Sequence, residues 1–283
     1  MVSNSATTAR PFHWPRPAPR AFSQPDGKLR AERFEFSNPF EVHGASDTKS
    51  QLCNYLSSSQ IPFPSGNPFV SRALSAIELL LGAFIVIGHN VFHIVPNEVI
   101  VLSVLGLVSI RVRDGRWSAM GLKQPSSWPR IFVIALAAAT LRITLGQFVV
   151  ESITGHFWPA PSAPGLANEI TGNVKVALFA LLLVWTFVAF GEEIAYRGYL
   201  LTRAADIGRR STIAYWLGIV LVSILFGYGH YYKGPSGIID SGLAGLILGT
   251  AYMVAGRNLW ACIFAHGFID TFGVIDTFFG WSK

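Results

Sequence analysis

The sequence predicts an all-α polytopic membrane protein, a bundle of about seven transmembrane helices, with six and eight as the bounds. Three observations carry that expectation. Hydrophobic residues make up 51% of the chain and charged residues only 13%, against about 25% charged in soluble domains. Apolar runs of about 20 residues, the length a bilayer core requires, recur from Arg72 onward. One of them, Val174 to Phe190, leads straight into Gly191-Glu192-Glu193-Ile194-Ala195-Tyr196-Arg197-Gly198. A charge at the bilayer centre costs roughly 2.5–3.5 kcal/mol on insertion scales, so intramembrane carboxylates mark function by default.

Residues 1–70 differ from the rest. Pro, Ser, Asn and Arg dominate and apolar periodicity is weak, so this is expected to be a poorly ordered polar tail. It has no continuous apolar stretch of the secretory-signal kind. Arg10, Arg16 and Arg20 without an acid in the first 25 residues resemble a transit peptide, but Pro11, Pro15, Pro17 and Pro19 preclude a good amphipathic helix. Residues 71–283 form the multi-pass membrane domain. Its expected spans are Ala73–Val95, Glu98–Ile110, Ile131–Val150, Val174 to about Leu201, Thr212–Tyr232, Gly237–Ala255 and Leu259–Phe279. The second is short, and losing it would break the alternation of loops. Residues 151–173 are rich in Pro, Gly and Asn and read as a loop. Gly242, Gly245 and Gly249 in the sixth span permit close helix contact. Cys53 and Cys262 lie in different settings and support neither a disulfide framework nor a thiolate metal site.

Loop charge sets the expected orientation. The loops 111–130, 202–211 and 256–258 carry nine basic residues: Arg111, Arg113, Arg116, Lys123, Arg130, Arg203, Arg209, Arg210 and Arg257. The opposite loops and the C-terminal end offer Lys175, Lys233 and Lys283. The first set, and with it the N-terminal tail, is expected on the cytoplasmic side of an inner or plasma membrane. The net charge of +6 reads as this loop bias and not as a nucleic-acid surface, so no nucleic-acid partner is expected.

Three spans deliver ionisable groups. Adjacent residues diverge by about 100° on a helix, so Glu192 and Glu193 cannot serve one face equally. Glu193 and Arg197 are four apart in the order that favours an ion pair. Arg197 is expected to neutralise Glu193, leaving Glu192 to face a cavity as a general base. The plainer alternative is a solvated span edge, although edge charges are usually Lys or Arg. The second site is Phe226-Gly227-Tyr228-Gly229-His230; a lone histidine of this kind is more often a hydrogen-bonded core residue. In the third, His266 and Asp270 are four apart and share a face. His89, His93 and His156 lack such company and read as structural or interfacial. Converging on one cavity, a carboxylate and two imidazoles can activate water, as base and oxyanion donor or around a zinc ion.

Glu-Glu-x-x-x-Arg-Gly, then Phe-x-x-x-His, then His-x-x-x-Asp resembles the CPBP family of intramembrane proteases, which includes the type II CAAX prenyl endopeptidases and the bacteriocin-processing and immunity proteins. The resemblance covers roughly residues 100–275, and Trp117-Ser118-Ala119-Met120-Gly121-Leu122 is similar to the loop motif before the family's core. It implies a helical membrane endopeptidase with an intramembrane catalytic cavity, cutting a peptide bond near the membrane surface. Carried over, Glu192 and His230 would activate water, and His266 and Asp270 would stabilise the oxyanion. Glu193, Arg197 and Phe226 would support them. The family's metal requirement is argued both ways: His230, His266 and Asp270 would hold zinc or another divalent metal, or no cofactor is needed. The last motif position is often Asn, and an ionised Asp270 cannot donate to an oxyanion as an amide does; either Asp270 is protonated by burial, or it orients His266, or it ligates a metal. The implied partners are the lipid bilayer and a peptide or protein substrate, prenylated or otherwise membrane-associated.

Two other readings use the same residues. One is a transporter or proton relay, which would tend to show inverted repeats; none is visible, and the first three spans carry little charge beyond Arg142. The other is a non-catalytic scaffold or immunity protein, against which Glu192, His230 and His266 stand intact. The expected spans also raise a conflict of depth. Glu192 and His266 would lie about 12 Å from the cytoplasmic edge and His230 about 26 Å, at 1.5 Å per residue. Gly227 and Gly229 would allow a break that resolves it.

Overall fold

The computed structural model describes residues 68–158 and 166–281. The tail expected over residues 1–70 falls outside it, apart from the backbone of 68–70. Among the described residues the fold is all-helical: α1 Pro68–Asn90, α2 Glu98–Asp114, α3 Trp128–Phe157, α4 Leu166–Ile170, α5 Val174–Ile207, α6 Thr212–Tyr228, α7 Gly234–Val254 and α8 Leu259–Phe279. Helices α1, α3, α5, α7 and α8 are long and apolar enough to cross a membrane, and α6 is a shorter apolar helix. Leu80, Phe84, Val133, Leu136, Ile213 and Leu217 are exposed on the outside of the bundle. That suits a lipid solvent, where apolar exposure carries no penalty. The chain is an integral, multi-pass membrane protein.

The boundaries correct the sequence reading at several points. The first span is earlier, Pro68–Asn90, because the chain turns at residues 91–97. The second, α2, is 17 residues long and continues to Asp114, where Gly115 ends it in the left-handed conformation (φ 74°). The expected loop over 151–173 is helical as far as Phe157 and again over Leu166–Ile170. Helix α5 continues six residues past Leu201, and Arg203 is a buried helix residue, not a loop charge. Helix α6 stops at Tyr228, and Tyr231–Lys233 is a separate 3₁₀ turn.

These changes resolve the conflict of depth. The α5–α6 turn is at residues 208–211. Glu192 lies fifteen residues before Ile207, about 22 Å above that turn at 1.5 Å per residue. His230 lies beyond the end of α6, which at 17 residues rises about 25 Å, less than the ~30 Å of a bilayer core. Both groups therefore reach a similar level.

Two polar systems between helices hold them in register. At the α5–α6 end, Arg203 is 1% exposed and binds Glu78 of α1 (2.8 Å), Asp114 of α2 (3.0 Å) and Asp206 (2.8 Å). Arg113 pairs with Glu78, and Arg210 with Asp114 and Asp206. Burial opposes the charge on Arg210, but hydrogen bonds and attraction from Asp206 and Asp114 outweigh it and raise its pKa. Elsewhere Arg142 of α3 pairs with Asp240 of α7.

Helices α6 and α7 pack most closely through small residues. A Cβ on Gly245 would fall 2.9 Å from the Cα of Ser223, and one on Gly249 2.6 Å from Ile219. Gly242 has only ordinary contact at 3.6 Å. Gly245→Ala is expected to force these backbones apart and lower stability by about 1–3 kcal/mol. Thermal unfolding in detergent checks this, and an unchanged midpoint would contradict the close approach. The Trp117–Leu122 motif docks on the α7–α8 turn: Leu259 N–H donates to the Gly121 carbonyl (2.9 Å) and Tyr252 O–H to that of Met120 (3.3 Å).

Candidate active site

The opening of the site lies in an irregular stretch of α5. Two π-helical segments, Val184–Val188 and Ile194–Leu200, flank Ala189–Glu193. Such widened turns recur at functional sites. Ser103 of α2 donates to the Gly191 carbonyl at 2.9 Å, tying α2 to the helix beside Glu192.

Glu193 and Arg197 form the expected pair. Glu193 is fully buried, Arg197 is 2% exposed, and Nη1 donates to Oε1 at 2.7 Å. The guanidinium also lies 4.4 Å above the Phe226 ring, and Nη2 donates to the Gly245 carbonyl at 3.4 Å. Glu193 does more than balance Arg197. Its Oε1 also accepts from His266 Nδ1 at 2.8 Å, which turns His266 Nε2 to the other side. There Nε2 lies 3.9 Å from Glu192 Oε2 and 3.5 Å from Asp270 Oδ2. The two adjacent glutamates thus approach one imidazole from opposite edges. Their divergence on the helix makes this possible.

Glu192 Oε2 is buried and has no hydrogen-bond partner among the described residues. Oε2 of Glu193 shares that condition. A buried, unsatisfied carboxylate oxygen is costly and calls for an explanation. For Glu193, the two bonds at Oε1 provide a structural one. For Glu192 nothing comparable exists, because 3.9 Å to the imidazole exceeds a hydrogen bond.

His230 is half-buried in the turn after α6. Its Nδ1 donates to the Phe226 carbonyl at 3.0 Å, which leaves Nε2 unprotonated in the neutral ring. Its ring packs on Phe226 at 4.9 Å, and Phe226 meets the His266 ring edge-on at 6.1 Å. Phe226 is therefore the partition between the imidazoles and a platform for Arg197. No direct hydrogen bond joins His230 to Glu192, His266 or Asp270 among the described residues.

A set of His230, His266 and Asp270 as metal ligands does not fit this arrangement. Among the described residues no group of three His, Cys, Asp or Glu side chains is arranged to hold a metal ion. No chemical step below passes through one.

Some contributors escaped the sequence reading. Trp185 donates from Nε1 to Thr271 at 3.2 Å, and its ring fills the space over Gly267, where a Cβ would lie 2.5 Å away. It sets the α5–α8 crossing next to His266. The His-Gly pair in α8 was the available signal for it. His89 stays peripheral, bridging the Val95 carbonyl (2.9 Å) and Glu98 (3.1 Å) at the α1–α2 turn.

The fold and site define a class: a multi-pass helical membrane protein with a carboxylate and imidazole cluster buried between α5, α6 and α8. Within it, residues 174–272 match the family model described as Rce1-like, type II CAAX prenyl endopeptidase Rce1-like. The matched segment runs from the start of α5 to two residues past Asp270, and over it the chain is similar to that family. No curated protein and no solved structure matches the chain.

Proposed function

We propose that this protein is an intramembrane endopeptidase that hydrolyses a peptide bond near the membrane surface. The observation that supports this most directly is the unpartnered Glu192 Oε2, buried beside the Nε2 of an imidazole that Glu193 holds in place. A group held without a partner inside the bundle is suited to binding a water molecule.

In the proposed reaction Glu192 takes a proton from water, with the unprotonated Nε2 of His230 as the second acceptor that orients it. The oxygen attacks the carbonyl carbon, and the oxyanion forms on the side of His266. For Nε2 of His266 to donate there, the ring must carry both protons. The carboxylates of Glu192, Glu193 and Asp270 surround it with the charge that balances such an imidazolium. Asp270 then fixes and balances His266 rather than donating itself. Glu192 returns its proton to the leaving amine.

The substrate on this reading is a membrane-associated peptide, and the family's activity makes a peptide ending in a prenylated CAAX sequence the first choice. The basic faces and the N-terminal tail are assigned to the cytoplasmic side of an inner or plasma membrane. The test is purified wild-type protein with a panel of prenylated and unprenylated peptides, with and without a chelator. Cleavage of a prenylated member is expected. Cleavage of none would favour a non-catalytic scaffold, and loss only with chelator would restore the metal.

Asp270→Asn provides a separate check. It keeps the size and removes the charge 3.5 Å from His266. If Asp270 acts through the imidazolium, kcat is expected to fall about tenfold, at the low end for a lost catalytic interaction. Unchanged activity would remove Asp270 from the mechanism.

A further inference from the structure

Glu192 and Tyr196 are one turn apart on α5 and share a face, as Glu193 and Arg197 share the next. Tyr196 is 1% exposed, with its ring edge-on to Phe226 at 5.0 Å. Its hydroxyl lies at the α6–α7 turn, where a Cβ on Gly229 would come within 2.7 Å of it. The next residue is His230. Helical side chains lean toward the N-terminus of their own helix, so Tyr196 reaches back toward the level of Glu192. No hydrogen bond engages that hydroxyl among the described residues. A Tyr O–H on a buried ring usually finds a partner. Here the donor is left open beside Gly229, next to the His230 turn.

We propose that Tyr196 is a further catalytic residue, whose phenolic O–H donates a hydrogen bond to the oxyanion of the tetrahedral intermediate. The proposal rests on the endopeptidase reading. It answers a shortage that the sequence creates: an ionised Asp270 has no proton to donate, which leaves His266 Nε2 alone. A neutral phenol donates without adding charge. When water attacks, its proton passes to Glu192 and the carbonyl π electrons move to oxygen, where Tyr196 and His266 meet them. Tyr196 keeps its proton throughout. Collapse reforms the carbonyl, breaks the C–N bond and sends the proton from Glu192 to the amine. Glycine at position 229 keeps the space that the hydroxyl occupies.

The experiment compares wild type, Tyr196→Phe and Glu192→Gln on a peptide that wild type cleaves, together with a phosphonate analogue of that peptide. Tyr196→Phe is expected to lower kcat about 10²-fold, within the range of a lost oxyanion donor, with KM and the thermal midpoint unchanged. The phosphonate should bind more weakly by a similar factor, and product peptide should bind as before. Full kcat in Tyr196→Phe would overturn the proposal, as would a loss expressed in KM or in the thermal midpoint. If Glu192→Gln is dead while Tyr196→Phe matches wild type, only the role of Tyr196 falls. If wild type cleaves nothing, the endopeptidase reading fails and takes this proposal with it.

Discussion

Glu192→Gln is expected to abolish peptide cleavage, with a loss of about 10³-fold or more in kcat and little change in stability. General base catalysis contributes typically 10²–10⁴-fold, and an amide in place of the carboxylate cannot accept the proton from water. The side chain keeps its size. Because Oε2 makes no hydrogen bond in the folded protein, its replacement breaks none. Glu193→Gln is a useful contrast, since it strips the charge that holds both Arg197 and His266. That variant should lose stability as well as rate. Cleavage assays read beside thermal unfolding separate the two, and a Glu192→Gln protein with wild-type kcat would remove Glu192 from the chemistry.

Arg197→Ala is expected to give the largest loss of stability, about 3–5 kcal/mol, the scale for removing one partner of a buried ion pair. Glu193 would remain fully buried with only His266 to neutralise it. The Phe226 ring would lose the guanidinium above it, and the Gly245 carbonyl would lose a donor. Replacing both partners is a different matter, because an uncharged pair leaves no isolated charge. Arg197→Met with Glu193→Gln should therefore unfold later than Arg197→Ala alone, although it should remain inactive because His266 is no longer held by a charge. Thermal midpoints in detergent decide this. A double variant no more stable than the single one would mean that packing, not charge, accounts for the loss.

The parts of the fold that were legible in the sequence are those that local chemistry marks. Helix α8 keeps its expected bounds, Leu259–Phe279, and in the structure Asn258 caps its start and Gly280 closes it in the left-handed conformation. Spacing alone identified the Glu193–Arg197 pair. The end of α6 was hidden, since Tyr228, Tyr231 and Tyr232 extend an apolar, aromatic pattern across the break. The π-helical widening of α5 leaves no mark on residue type, so the double role of Glu193 could not be read from a regular helical wheel. Arg203 reads as a loop charge in the sequence because its partners Glu78 and Asp114 lie 125 and 89 positions away, and only the fold brings them together. At position 196 the apolar pattern does not distinguish Tyr from Phe, and only the fold places the hydroxyl beside Gly229.

The ionic cluster at the α5–α6 end has a consequence for biogenesis. The chain emerges N-terminus first, so Glu78 and Arg113 can pair as soon as α1 and α2 exist. Asp114 has to wait, because its cations are Arg203, at the far end of α5, and Arg210, in the turn that follows it. Until α5 is made, Asp114 lacks the cations that it pairs with in the folded protein. Once α5 arrives, Arg203 enters a socket already lined with acids. The late cation thus acts as a latch that rewards only the complete arrangement of α1, α2 and α5, and an isolated α5 would carry the same arginine with Asp206 as its only acid from that set.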